Sequence, residues 1–216
     1  MNRTITVKGT GNITLRPDQV VIPVTLVVTD LDYTEVMRRS TEALDAVCAA
    51  LETAGFRRED VKTLDLSVNT RYVGVHEDGV YKQVFAGYEC RHSLKLAFDL
   101  DQERLGETIT ALAGCEAKPE FSIRFTVKDQ EAAKNTMLRS AAADARRKAE
   151  TLCAAAGVTL GALSSILYDW KDVNLYSQSN LMLADAAPAA GMMKRMAIEP
   201  EDVTASDTVT FLWEIV

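Results

Sequence analysis

Met182, Met192, Met193 and Met196 are the residues whose type and crowding come nearest to chemistry, four of the chain's seven methionines between positions 182 and 196. Clustered thioethers bind soft Cu(I), oxidise reversibly, or form an adaptable apolar contact surface. Lys194 and Arg195 lie within the cluster and favour a contact surface over a cation site. Only two histidines are present. His76 falls at a predicted hairpin tip and His92 on an apolar alternating face, so the two are not expected to share an ion. Zinc needs about four ligands in tetrahedral reach, and no His/Cys pair here has the spacing for it. His92 reads instead as a hydrogen-bonded, half-buried histidine.

Cys48, Cys90, Cys115 and Cys153 are widely spaced without a CxxC pair, and read as reduced thiols that pack as small hydrophobes. A serine or cysteine nucleophile needs an adjacent base and a third orienting group, and the chain has no GxSxG elbow and few bases to offer. The carboxylates of Glu77-Asp78, Glu116, Glu120 and Glu199-Pro200-Glu201-Asp202 fall in turns and segment ends, where solvation accounts for them. Gly9-Thr10-Gly11 resembles a phosphate loop, but Ile13 to Pro17 looks extended and opens no helix whose amides could hold an anion. No catalytic, cofactor-binding or metal-binding residue is assigned, and no cofactor is expected.

Composition narrows the partners. Apolar residues make up 47% and charged residues 25% of 216, which is ordinary globular usage. The formal charge of −7 repels phosphate backbones, so nucleic acid is not an expected partner. No run approaches the roughly 18 apolar residues of a membrane span. The first residues alternate polar and apolar without the core of a signal peptide, so the expected location is cytoplasmic.

The positioning elements follow from periodicity. Ile5, Val7 and Gly9 predict a short strand ending in a turn at Gly9-Thr10-Gly11-Asn12. Gln19–Thr29 is the clearest early strand, with Val20, Ile22, Val24, Leu26 and Val28 on one face and Pro23 indicating an edge or bulge. Asp32 caps a helix running to about Ala54, with Glu35 placed for a capping box. A long hairpin follows, turning near His76-Glu77-Asp78-Gly79, with Leu64, Leu66 and Val68 inward on one strand and Cys90 to Phe98 inward on the other. Then come a helix over Asp101–Ala113, a strand through Phe121–Val127, and a long alanine-rich helix from about Gln130 to Ala156. That helix should bury Leu138, Ala141, Ala142, Ala145, Ala149, Leu152, Cys153 and Ala156, a narrow face that lets its axis approach a sheet closely. Strands at Leu163–Tyr168 and Val209–Ile215 close the chain. Residues 170–200 between them read as a long loop or partly helical insertion. The fold class is α+β: antiparallel or mixed sheets with helices on one face, ordered ββαββ then αβαββ. It forms one domain over 1–216, with two similar halves of about 1–100 and 101–216 as a possible subdivision.

Several segments in this order resemble the SIMPL domain family, which includes YggE-like proteins and a periplasmic immunogenic protein. They are Ile5-Thr-Val-Lys-Gly-Thr-Gly, Arg16-Pro17-Asp18, Gly87-Tyr88-Glu89-Cys90, Ala145-Arg-Arg-Lys148-Ala149-Glu-Thr-Leu152 with Gly157 and Leu160-Gly161, and Ile198-Glu199-Pro200. The resemblance implies an α+β domain without established catalytic residues, oligomer-forming or interacting, loosely linked to stress responses and signalling partners. The resulting expectation is a non-enzymatic homo-oligomer that acts as an interaction or scaffold protein, its interface using Leu181, Met182 and the methionine cluster. The alternative is a small-ligand or Cu(I)-responsive binding protein that uses the same loop.

Overall fold

The computed structural model describes residues 3–77, 80–169, 172–179, 181–182 and 198–216. Its elements are β1 (Thr4–Leu15), β2 (Gln19–Asp30), α1 (Tyr33–Glu52), β3 (Lys62–Glu77), β4 (Val80–Asp99), α2 (Gln102–Ala113), β5 (Glu120–Thr126), α3 (Gln130–Ala155), β6 (Leu160–Leu167), β7 (Leu181–Met182) and β8 (Val203–Ile215). The fold is α+β, with two antiparallel sheets ordered β1-β8-β6 and β3-β4-β2-β5-β7. Its contacts form two compact units that interleave along the chain: residues 1–18, 125–179 and 200–216 in one, 19–124 and 180–199 in the other.

In the second unit α1 packs on β2 and β4 and against α2. Alternation supplies the core: Val20, Ile22, Val24 and Leu26 of β2 and Cys90, Leu94, Leu96 and Phe98 of β4 are buried, as are Val36, Val47 and Leu51 of α1. Leu105, Ile109 and Leu112 of α2 are buried too. Asp32 caps α1 by accepting from the Glu35 N–H at 2.9 Å, but the Glu35 carboxylate turns forward to Arg38, leaving the capping box half made.

Two expectations fail in this sheet. β2 is an interior strand, and its register with β4 runs unbroken through Pro23 opposite Lys95, so the proline marks neither an edge nor a bulge there. A missing N–H removes at most one ladder bond, which a strand with neighbours on both sides tolerates. Leu64 and Leu66 of β3 are exposed, because β3 is an outermost strand and the helices cover only its neighbours.

In the first unit α3 lies on β1 and β8. β1 does not turn at Gly9. It pairs residue for residue with β8 from Thr4↔Glu214 to Leu15↔Val203, and the glycines lie in mid-strand because α3 passes directly over them. A Cβ on Gly9 would come within 2.7 Å of the Ala145 Cβ, and one on Gly11 within 2.8 Å of the Met137 backbone carbon. Buried residues of α3 recur every fourth position, at Ala133, Met137, Ala141, Ala145, Ala149 and Cys153. That stripe is narrower than the expected one: Ala142, Leu152 and Ala156 are exposed. Four helical residues advance about 6.0 Å and two strand residues about 6.7 Å, so a helix and an antiparallel strand stay in step at that ratio. Val7 accordingly clusters with Ala141, Ala145 and Ala149, and Ile13 with Ala133 and Met137.

The region read as loop is partly built in. Leu175 is 2% exposed and packs with Ile13, Val127, Ala133, Met137 and Val203. Leu181–Met182 pairs with Ser122 and Ile123 as β7.

Candidate functional site

Among the described residues, those singled out for chemistry do not converge. His92 is buried on β4, with Nε2 3.0 Å from the Thr63 hydroxyl, and burial holds its pKa below the ordinary histidine value. His76 stands further along the hairpin, edge-on to Tyr81 with ring centroids 5.5 Å apart. All four cysteines are free and buried. The Cys90 Sγ donates to the Ser40 hydroxyl, and burial raises the Cys48 thiol, the direction opposite to that of a reactive thiolate. Glu116, Glu120, Glu199, Glu201 and Asp202 are exposed. Among the described residues no three His, Cys, Asp or Glu side chains could hold a metal, and every buried side-chain N or O has a partner. Met192, Met193, Met196, Lys194 and Arg195, with Asp78 and Gly79 of the hairpin tip, lie outside the described residues, and Met182 is placed only as backbone of β7.

His92 makes stability depend on pH. Its pKa is depressed on folding, so the unfolded chain takes up the proton first as pH falls below about 6.5, and protonation then favours unfolding. Thermal midpoints should therefore decline between pH 7 and 5.5. The same series on His92→Gln, which keeps a partner for Thr63, should lose that part of the slope; an unchanged slope would remove His92 as its source.

Where Gly9-Thr10-Gly11 passes under Asp144 to Ala149, the two resemblance motifs meet. The Asp144 carboxylate accepts from the Thr10 N–H at 2.9 Å, and Lys148 Nζ donates to the Lys8 carbonyl at 3.3 Å. β1 is an outermost strand of its sheet, and these two residues occupy backbone groups on its free side. The Lys148 ammonium and the Thr10 amide hold the Asp144 carboxyl below its usual range, so it is charged at neutral pH. The arrangement closes an edge. As expected, the stretch after Gly9-Thr10-Gly11 stays extended to Leu15 and opens no helix, although the glycines lie in mid-strand and not in a turn.

A shallow open cleft is lined by Arg57, Glu59, Asp60, Lys62, Lys95 and Ala97. Arg57 pairs with both carboxylates.

The less ordinary surface is the outer half of the β3–β4 hairpin. Pairing of β4 with β2 ends at Asp30↔Tyr88, next to Gly87, whose φ of 107° and close approach to Asp30 O admit only glycine. Beyond it, among the described residues, β3 and β4 pair only with each other, as a two-stranded arm that follows a register shift between Thr70 and Tyr72. Cross-strand partners share a face, so Tyr72, His76, Tyr81 and Phe85 line one side and Val73, Val75 and Val84 the other. Tyr72 and Phe85 meet edge to face at 6.0 Å, Phe85 and Tyr88 at 5.4 Å, and the Tyr81 ring lies across Gly74. Tyr72, Tyr81, Phe85, Val73, Val75 and Val84 are all exposed, Tyr81 by 61% and Tyr72 by 56%. Sequence reading found the hairpin and missed this surface, although the signal was there: from Tyr72 to Val75 apolar residues occupy both faces, where a half-buried strand alternates.

The model of the SIMPL family, described as a protein of unknown function (DUF541), matches residues 5–213. No curated protein matches the chain.

Proposed function

The chain belongs to the SIMPL family, and on that premise we propose that it is a non-enzymatic, self-assembling interaction or scaffold protein whose contact surface is the β3–β4 arm. The observation that carries this reading is the arm itself, a two-stranded ribbon with exposed apolar side chains on both faces, beside Lys82 on the valine face and Gln83 on the aromatic one. An isolated ribbon of this kind is marginal in water and gains stability when covered. Aromatics bury about 150–250 Å² each, so the three half-exposed rings and three valines offer roughly 400 Å², about half of one partner's share of a standard interface. Aromatic anchors are also what contact surfaces concentrate. A non-catalytic role is supported by the dispersal of these groups: among the described residues no three His, Cys, Asp or Glu side chains gather to hold a metal, and the one His–hydroxyl pair, His92 with Thr63, has a buried histidine.

Sedimentation velocity of the full chain from about 1 to 100 μM, a range spanning ordinary protein associations, should show reversible association. Tyr72→Ser with Phe85→Ser should weaken it at least tenfold without changing the far-UV spectrum. A concentration-independent monomer mass would end the reading.

A further inference from the structure

The arm's outer strand is built to pair with itself. β3 is the outermost strand of the five-stranded sheet, and from Tyr72 to Glu77 its one described strand neighbour is β4. An extended, apolar strand with one side unpaired is a ready template for another strand. Natural sheets blunt such edges with proline, lysine, a covering helix or side chains that occupy the backbone groups. The same molecule does so on β1, where α3 lies over the strand and Asp144 and Lys148 bond to Thr10 and Lys8. Residues 71–77 of β3 contain neither proline nor lysine. One edge is closed, and the other carries none of these devices among the described residues.

The order of residues along that edge says what fits it. Positions 71–77 read Arg-Tyr-Val-Gly-Val-His-Glu. When this segment is laid antiparallel against a second copy with Gly74 opposite Gly74, each Val73 faces a Val75, each Tyr72 a His76, and each Arg71 position a Glu77 position. Every pair is favourable in type: β-branched against β-branched, ring against ring, cation against anion. Shifting the register by one residue would move each side chain to the opposite face and lose these matches. A two-fold arrangement is also the commonest way in which one chain meets itself, because the same patch serves both partners.

Building on the self-assembly proposed above, we infer that two copies of this chain join through antiparallel pairing of their β3 edges centred on Gly74, merging their five-stranded sheets across the contact. The ladder uses main-chain groups of an edge that has no other described strand beside it, and its side-chain pairs fix the register. The two valine faces and the two aromatic faces become continuous. Continuity brings the exposed area of both arms toward what a stable dimer buries.

The test uses charges whose effect depends on the two-fold register. Val73 and Val75 are exposed, so replacing both with lysine leaves the core intact and lowers the thermal midpoint only slightly, through the new lysine at 75 opposite Lys82. In a self-paired edge each new lysine faces a lysine of the second copy, and the dissociation constant measured by sedimentation should rise at least 100-fold. A second protein carrying Val73→Glu and Val75→Glu should be equally impaired alone. Mixed one to one, the two variants should associate with each other and restore a dimer containing one copy of each, detected by native mass spectrometry. Val84→Lys, on the same face but on β4, should change the constant less than tenfold. If the wild type assembles while the lysine variant assembles equally well, or if the lysine and glutamate variants do not combine, the edge pairing is wrong and association through the arm's faces stands. A wild type that remains monomeric removes both.

Discussion

Replacing Gly11 with valine should lower the stability of the chain by about 3 kcal/mol or more, the upper end of what overpacking costs. The reason is what a side chain would meet. A Cβ at Gly11 comes within 2.9 Å of the Ala141 amide nitrogen, and closer still to the Met137 carbonyl oxygen. Both are backbone atoms of α3, and no rotamer change can move them. Relief requires lifting the helix from β1, which would separate Val7 and Ile13 from Ala141, Ala145, Ala133 and Met137. For a chain of this length 1 kcal/mol corresponds to about 2–4 °C, so the thermal midpoint should fall by about 6–12 °C. Ala141→Gly in the same chain should not rescue the variant, because the obstacle is the helix backbone and not the Ala141 methyl. A useful contrast is Gly157→Ala: that glycine has φ +70° and open space around it, so only backbone strain of about 1 kcal/mol is expected. Thermal unfolding followed by circular dichroism reads all three. If Gly11→Val falls no further than Gly157→Ala, the close approach of α3 to β1 is wrong.

That contact also shows how legible the fold was. The alternation in β2 and β4 predicted the buried faces, because Val20, Ile22, Val24 and Leu26 sit over one side of a sheet and Leu94, Leu96 and Phe98 over the same side. Of the helix starts, Asp32 was read as a cap and is one, and Asp101 and Asp129 cap in the same way, each accepting from the amide three residues on. What escaped the sequence was decided by neighbours distant along the chain. Glycine signals a turn and a close backbone approach alike, and only α3, more than 120 residues further on, distinguishes the two at Gly9 and Gly11. Leu64 and Leu66 alternate like any half-buried strand, yet whether such a strand lies under a helix or at the rim is a property of sheet order. The apolar residues on both faces of Tyr72 to Val75 were legible, but nothing in residues 71–77 says that β2 stops pairing at Asp30.

Leucine 175 carries the same lesson and the other large expected effect. Its surroundings from Trp170 to Pro200 have no steady period, and read alone they are loop. In the fold Leu175 is nearly sealed between Ile13 of β1, Met137 and Ala133 of α3, and Val203 of β8. Its carbonyl accepts from the buried Thr126 hydroxyl at 2.6 Å, and two residues later Ser177 donates its amide to the Phe125 carbonyl at 2.8 Å and its hydroxyl to the Glu201 carbonyl. A segment held by hydrogen bonds at Leu175 itself and again two residues on cannot readily slide to fill a void. Leu175→Ala should therefore keep most of its cavity and cost about 3 kcal/mol, within the range of buried leucine truncations. Val173, only partly buried at the rim of the same cluster, should cost less when cut to alanine. Hydrogen exchange separates a built-in segment from a draped one. In the intact protein the Ser177 amide should be protected to nearly the same degree as Phe211 in β8, and in Leu175→Ala both should lose protection together. A Ser177 amide that already exchanges far faster than Phe211, with Leu175→Ala costing under about 1 kcal/mol, would mean that the segment opens independently of the first unit's core.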